Sequence, residues 1–132
     1  MIAATMGLKV LLVDDEGQIL RLLTRILTRA GHTVLTAENG DEAREVLAEH
    51  LDSLDIMLLD VVLPPRGCGE VLDQVLVRRP DFPYLLISGE QIDRALRDRV
   101  EGTNGRCVRK PFHPDAVLEA LAEATSANSG DD

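Results

Sequence analysis

Short apolar runs alternate along the chain with longer segments in which apolar residues recur at helical spacing. The short runs are rich in Leu, Val and Ile and are bounded by polar residues or glycine, which predicts strands. Three of them are almost continuously apolar, as is typical of parallel strands covered on both faces. The predicted strands are LKVLLVDD (8–15), HTVLTA (32–37), LDIMLLDV (54–61), FPYLLISG (82–89) and GRCVRK (105–110).

Each apolar run is followed by a predicted helix. In the first of these segments the apolar residues fall on one helical face, and Gly31 supplies a stop signal. Pro80 ends the third segment, and Pro114 stands in the first turn of the last, where a missing N–H costs little. The helices are predicted over 16–31, 39–50, 69–80, 91–100 and 113–124.

The alternation of strand and helix predicts the fold class. Five repeats of it are typical of an α/β protein, a (βα)5 doubly wound fold in which helices cover both faces of a parallel sheet. We expect one domain over residues 8–124, an N-terminal extension at 1–7 and a flexible tail at 125–132. In sheets of this kind, functional sites form beyond the carboxyl ends of the strands.

Polar residues stand at those ends in four of the predicted strands. They are Asp14 and Asp15, Asp60, Ser88, and Lys110. Taken singly, each has an ordinary structural explanation as a helix cap, a turn or a surface position. Taken together, they place three carboxylates, one hydroxyl and one ammonium group in a single pocket.

The charge of that pocket indicates its chemistry. Three carboxylates and one lysine leave a net negative charge in the pocket. Such a cluster is stable only if the pKa values of its carboxylates rise or if it binds a cation. Mg²⁺ suits an incomplete shell of oxygen ligands, and Mn²⁺ would satisfy the same shell. A carboxylate beside a cation, a lysine and a hydroxyl can accept a phosphoryl group as an aspartyl phosphate.

The composition excludes several other functions. A net charge of -9 argues against binding to a nucleic-acid backbone or to an anionic membrane, and 2% aromatic residues leave little for base stacking. No apolar stretch reaches the length of a membrane span, and MIAATMG lacks the features of a signal peptide, so we expect a cytoplasmic protein. Cys68 and Cys107 show no metal-ligand spacing; free thiols are expected, with one disulfide as the alternative.

The motifs VLLVDDE, MLLDVVLP, LLISGE and VRKPF, in this order and spacing, resemble those of the receiver (response-regulator) domain of bacterial two-component signalling. The resemblance covers roughly residues 8–124. It implies the strand order 2-1-3-4-5 and a phosphoacceptor role in a histidine-to-aspartate phosphorelay. The implied donor is a phosphohistidine on a sensor histidine kinase or on a histidine phosphotransfer protein.

The resemblance also implies roles for the acidic residues. By position, Asp60 resembles the phosphoacceptor of the family. Asp15 resembles the direct Mg²⁺ ligand, and Asp14 the residue that holds a metal-bound water. The backbone carbonyl of Val62 would complete the protein's ligands to the metal.

The remaining pocket residues match groups that bind the phosphoryl oxygens. Ser88 resembles the hydroxyl residue and Lys110 the lysine of the family, in which the bond corresponding to Lys110–Pro111 is cis. Receivers catalyse transfer to their own aspartate and usually its hydrolysis, so we expect no other enzyme activity. The histidines fit no donor role, and we expect all of them to be solvated: His32, His50 and His113.

Three features depart from the commonest receivers. Cys107 stands three residues before the lysine, where a Tyr or Phe usually acts as the switch. The loop after Asp60 has one additional residue before Gly69, and this style resembles the receivers of hybrid histidine kinases. Val62 is apolar, and with Glu90 it would line the approach of water and so influence the phosphoryl lifetime.

Output and alternative functions follow from these features. Because no effector domain follows the last helix in this sequence, we expect signalling through contact with a downstream protein or through phosphoryl relay. The substitution at Cys107 leaves open a switch-impaired interaction module that binds independently of phosphorylation. A small-molecule phosphatase would need a second acid where Val62 stands. A set of arginines lies in the usual signalling region, and we expect them to form a solvated charged face rather than docking residues: Arg94, Arg97, Arg99, Arg106 and Arg109.

Overall fold

The fold is described by a computed structural model over residues 7–63, 68–89, 92–110 and 112–129, with residues 127–129 given as backbone only. Strands and helices alternate throughout the described chain. Their order is β1 (Lys9–Val13), α1 (Gly17–Arg29), β2 (Thr33–Ala37), α2 (Gly40–His50), a 3-10 turn (Leu51–Ser53), β3 (Ile56–Asp60), α3 (Gly69–Arg78), β4 (Tyr84–Ser88), α4 (Arg94–Val100), β5 (Gly105–Arg109) and α5 (Pro114–Ser129).

All five strands form one parallel sheet in the order β2-β1-β3-β4-β5. The sheet confirms both the predicted (βα)5 class and the strand order that the receiver resemblance implied. β3 lies at its centre, with Val13 of β1 beside Leu59 and Ile87 of β4 beside Asp60. The carboxyl ends of β1, β3 and β4 therefore meet at one edge, where the predicted pocket should lie.

Two apolar layers hold the helices to the sheet, because successive side chains of each strand point to opposite faces. The layer beneath α1 and α5 contains Val10, Leu12, Leu23, Leu27, Leu58, Val117 and Leu121. The layer beneath α2 and α3 contains Leu11, Leu47, Met57, Val71, Leu72 and Leu86. α4 adds only partly buried residues to this second layer, namely Leu96 and Val100.

Most element bounds lie within two residues of those predicted from the sequence. Gly31 acts as the predicted stop: its φ of 98° is left-handed, a conformation that glycine adopts without steric cost. The amides of Gly31 and His32 donate to the carbonyls of Thr28 and Leu27, at 3.0 Å each, so these two carbonyls in the last turn of α1 are satisfied.

Two helices differ from their predicted extents. α4 begins at Arg94 rather than at residue 91, because the Asp93 side chain accepts a hydrogen bond from the Leu96 amide at 2.8 Å and caps the helix there. α5 continues to Ser129, five residues beyond the predicted end at 124. Its alanines favour helix, and Leu121 and Ala124 pack against the sheet.

A tyrosine of β4 packs against a glycine of the edge strand β5. Tyr84 is fully buried and lies beside Gly105 in the strand register. A β-carbon at Gly105 would overlap the Tyr84 ring, so glycine is required at this position. The Tyr84 hydroxyl is 2.7 Å from the Thr103 hydroxyl in the turn that precedes β5.

His32 contradicts the expectation that all three histidines are solvated. It is buried between the end of α1 and the start of β1, and its Nδ1 accepts a hydrogen bond from the Leu8 amide at 3.1 Å. Burial lowers the pKa of His32. The ring is therefore a neutral structural acceptor. His50 is half-buried and His113 is exposed.

Both cysteines are free thiols, as expected; Cys68 is buried and Cys107 is exposed. Three sequence predictions fall outside the described residues. They are the hybrid-kinase style of the loop at 64–67, the contribution of Glu90 to the approach of water, and the cis bond before Pro111.

Candidate functional site

Three aspartates gather at the carboxyl edge of the sheet. Asp14 and Asp15 follow β1 directly, and Asp60 is the last residue of the neighbouring strand β3. Each offers a carboxylate oxygen, and these oxygens lie within 4.8 Å of one another. Asp14 is 2% and Asp60 5% exposed, whereas Asp15 reaches solvent. The fold thus brings together the acidic residues that the sequence predicted would meet.

One oxygen of this cluster lacks a hydrogen bond. Asp14 Oδ1 accepts from the Glu16 amide at 2.8 Å, but the buried Oδ2 has no hydrogen-bond partner. A buried carboxylate oxygen without a hydrogen bond is costly unless a cation compensates it, and the Lys110 ammonium group, 3.5 Å from this oxygen, is shared with Asp60 and Glu16. Receiver domains bind Mg²⁺ at an acidic pocket, and the three-aspartate cluster fits such an ion because it offers carboxylate oxygens close together and borders an open cleft.

Lys110 supplies the positive charge of the site. It follows β5, where its amide donates to the Ser88 carbonyl at 2.7 Å. Its Nζ lies 3.5 Å from Asp14 Oδ2 and 3.9 Å from Asp60 Oδ2. It lies closer still, at 3.1 Å, to Glu16 Oε1.

Burial and neighbouring charges shift the titration of the pocket. Desolvation and the Asp14 carboxylate raise the pKa of Asp60 to about 6, although the Lys110 charge and the Val62 amide, at 3.2 Å, act in the opposite direction. Desolvation alone would lower the pKa of Lys110, but the Glu16 hydrogen bond and the Asp14 and Asp60 charges outweigh it and raise that pKa. With a pKa of about 6, the Asp60 carboxyl group is mostly ionised at neutral pH.

Ser88 is the last residue of β4 and is buried beside the acidic cluster. It shares with Asp60 and Lys110 an open cleft of about 670 Å³ that reaches from the aspartates to the start of α4. The Val62 side chain lies at the rim of this cleft and is 74% exposed. The other residues of the cleft wall are Asp15, Glu16, Val61, Gly89, Ile92, Asp93 and Leu96.

The predicted signalling region carries exposed charge. Cys107 lies on β5 beside Leu86 and is exposed, and it is not among the described residues that line the cleft. Arg99 differs from the other arginines of this region because it pairs with Asp73 of α3 and lies against Gly69. The remaining four are exposed, in agreement with a solvated charged face: Arg94, Arg97, Arg106 and Arg109.

Glu16 is the site residue that sequence reasoning missed. Its position directly after Asp14 and Asp15 could have indicated a place in the pocket, but an acidic residue before a helix is equally typical of a helix cap. Its contact with Lys110 spans 94 residues of sequence, so only the fold reveals it.

Comparisons with known proteins agree with this geometry. The family model described as the response regulator receiver domain matches residues 10–122. A chemotaxis protein CheY homologue from Campylobacter jejuni is 30% identical over 131 residues, which is 94% of this chain and 97% of that protein. The crystal structure of a receiver domain protein from Clostridium thermocellum superposes with a TM-score of 0.82 at 26% identity, covering 91% of this chain and 95% of that one.

Longer relatives match over one part of their length. The alkaline phosphatase synthesis transcriptional regulatory protein PhoP of Bacillus subtilis is 34% identical over 114 residues, 85% of this chain but 46% of that protein. The chain thus spans about half the length of such curated relatives. Among the described helices, none has the length and apolarity needed to cross a bilayer.

Proposed function

This chain belongs to the receiver domain family of two-component response regulators, and on that premise we propose that it accepts a phosphoryl group on Asp60. One observation carries the proposal: a buried carboxylate ends the central strand between two further aspartates and the Lys110 ammonium group. Such a carboxylate is a suitable nucleophile when cations stabilise the charge of the transferring group.

Three aspartates would hold the metal. Asp15 would bind Mg²⁺ directly, Asp14 would hold a metal-bound water, and Asp60 and the backbone carbonyl of Val62 would complete the protein ligands. The unsatisfied Oδ2 of Asp14 and the spacing of the carboxylate oxygens support this assignment. A bound Mg²⁺ supplies charge neutralisation for the transferring phosphoryl group, and Mn²⁺ can supply the same chemistry.

The protein's own groups carry the transfer. A carboxylate oxygen of Asp60 attacks the phosphorus of a phosphohistidine, the P–N bond breaks, and its electron pair returns to the imidazole nitrogen. Lys110 and the Ser88 hydroxyl bind the oxygens of the incoming group, which both can reach from the shared cleft. Hydrolysis returns the domain to its unphosphorylated state. Water attacks the same phosphorus, the bond between phosphorus and the Asp60 oxygen breaks, and inorganic phosphate is released.

The partners follow from the chemistry of the donor. We propose that a sensor histidine kinase or a histidine phosphotransfer protein delivers the phosphoryl group, and that a downstream protein reads the phosphorylated state. The acidic balance of the chain disfavours direct binding to nucleic acid or to an anionic membrane. The complete set of pocket residues supports this function over a phosphorylation-independent interaction module.

Labelling with a small phosphoryl donor tests the proposal. Wild-type protein incubated with labelled acetyl phosphate and Mg²⁺ should acquire a base-labile label approaching one phosphoryl group per chain. Asp60→Asn should acquire none. Asp81→Asn makes the same chemical change in an exposed loop and should label like the wild type. Label on the Asp60→Asn protein would show that another residue is the acceptor.

A further inference from the structure

The Glu16 side chain does not cap helix α1, although it occupies the N-cap position. Glu16 is the N-cap residue of α1, yet it makes no side-chain hydrogen bond to the first turn of that helix. Its carboxylate instead accepts a hydrogen bond from Lys110 Nζ at 3.1 Å. Helix α1 therefore has no side-chain cap from Glu16, and Lys110 has the Glu16 carboxylate as a hydrogen-bonded anionic partner.

Lys110 is closer to this partner than to the buried aspartates. The Nζ distance is 3.1 Å to Glu16, 3.5 Å to Asp14 and 3.9 Å to Asp60. Only the contact with Glu16 is a hydrogen bond. The ammonium group therefore hydrogen-bonds to Glu16 and keeps only an ion-pair contact with Asp60, the residue where the phosphoryl group is expected.

We propose that Glu16 is a positioning residue that competes with the phosphoryl group on Asp60 for Lys110. The inference rests on the proposed phosphoacceptor function and goes beyond it, because it assigns a regulatory role to a residue outside the metal-binding aspartates. The unphosphorylated state keeps the Glu16–Lys110 pair. The phosphorylated state replaces it with a pair between Lys110 and a phosphoryl oxygen.

The exposure of the pair sets the size of the effect. The Glu16 side chain is 60% and that of Lys110 is 20% exposed, so water weakens the attraction between them. Partly exposed pairs of this kind correspond to roughly a two- to fivefold change in a binding constant. Glu16 is thus expected to moderate the response of the pocket to phosphorylation and not to abolish it.

Two substitutions separate a direct pair from a general charge effect. Glu16→Gln removes the charge and keeps the length of the side chain. Glu16→Asp keeps the charge but is one methylene shorter, so its carboxylate cannot hold the same hydrogen bond. Glu38→Gln is the matched control, because Glu38 follows β2 at the same edge of the sheet and is exposed.

Beryllofluoride, a mimic of the phosphoryl group, provides the measurement. At saturating Mg²⁺ we expect Glu16→Gln to bind it about two- to fivefold more tightly than the wild type, and Glu16→Asp to shift in the same direction. Glu38→Gln should match the wild type. The side-chain NMR signals of Lys110 in Glu16→Gln with Mg²⁺ alone should already lie nearer their beryllofluoride-bound positions.

The outcomes distinguish the inference from its premise. If the wild type binds beryllofluoride and Glu16→Gln binds it equally or more weakly, Glu16 does not compete for Lys110. If Glu16→Asp behaves as the wild type, negative charge rather than the direct pair sets the affinity, and the inference is overturned. If the wild type fails to bind beryllofluoride with Mg²⁺, the phosphoacceptor function itself is wrong.

Discussion

The ionised Asp60 carboxylate lowers the stability of the fold, because it is buried beside another carboxylate. Its burial beside Asp14 raises the pKa of the Asp60 carboxyl group from 3.8 to about 6, so the folded state holds its proton more firmly than the unfolded chain does. The folded protein is therefore favoured below pH 4 and loses that advantage as the pH rises through about 6.

We expect Asp60→Asn to be more stable than the wild type at pH 7.5 without Mg²⁺. The shift corresponds to at most about 3 kcal/mol, and partial solvation of the pocket reduces the expected gain to about 1 to 2 kcal/mol. Urea unfolding of both proteins at pH 7.5 and at pH 4 measures it, with Asp81→Asn as control. A gain of the same size at both pH values would contradict an ionisation effect.

His32 responds to pH in the opposite direction from Asp60. Because burial lowers its pKa in the folded state, the unfolded chain binds a proton first as the pH falls below the ordinary value of 6.5. The stability that the neutral ring contributes is fully present above that value and is lost on acidification. The advantage of the wild type over His32→Gln should therefore shrink between pH 7.5 and pH 5.

Unfolding free energies at several pH values measure this advantage. His50→Gln alters a half-buried histidine at the end of α2 and serves as the matched control. The difference in unfolding free energy between the wild type and His50→Gln should not shrink in the same way on acidification. An advantage over His32→Gln that stays constant with pH would mean that the pKa of His32 is the same in the folded and unfolded states, which would contradict the effect of burial.

At the scale of elements, Arg79 fastens the end of α3 to the segment before β3. Its Nη1 donates to the carbonyls of Leu51 and Leu54, each at 2.8 Å, and its guanidinium lies 4.7 Å from the centre of the Phe82 ring. The neighbouring Arg78 makes an exposed ion pair with Asp52, at 2.9 Å. Two adjacent arginines thus have very different structural roles.

We expect Arg79→Met to destabilise the fold by about 1 to 3 kcal/mol, because carbonyl oxygens at a partly buried joint would lose their donor. Arg78→Met should cost less than about 1 kcal/mol, as exposed ion pairs usually do. Chemical denaturation of the two variants provides the comparison. Equal losses would show that charge, rather than the hydrogen bonds of Arg79, accounts for the effect.

At the scale of the whole molecule, acidic residues outnumber basic ones, and three of the acidic residues gather at the carboxyl edge of the sheet. The chain carries a net charge of -9, and three aspartates of the pocket share a small volume. A divalent cation that binds only the folded state stabilises it by mass action, by about 2.7 kcal/mol at one hundred times its dissociation constant. Folding and metal binding should therefore be coupled.

Mg²⁺ should raise the melting temperature of the wild type more than KCl of equal ionic strength does. Asp15→Asn should lose most of this additional rise, whereas Asp81→Asn should keep it. Thermal unfolding with a titration of MgCl₂ makes the measurement. If KCl reproduces the whole rise, general screening of the negative charge explains the effect and a specific site does not.

Local patterns were sufficient to predict much of this protein. The apolar runs and the helical spacing between them predicted five strands and five helices, because burial on a sheet or on one helical face imposes a period on the sequence. The parallel sheet then placed the strand ends together, so the meeting of Asp14, Asp15 and Asp60 followed from the same pattern.

Tertiary structure decided what depends on residues far apart in sequence. From the sequence, His32 was expected to be a solvated turn residue. In the fold it is buried, and its Nδ1 accepts a hydrogen bond from the amide of Leu8, which lies 24 residues earlier in the chain. Glu16 reads as a helix cap, and only the end of β5 brings Lys110 to its carboxylate across 94 residues. Periodicity reports which face of an element is buried, but hydrogen bonds and ion pairs depend on atoms that the fold alone brings together.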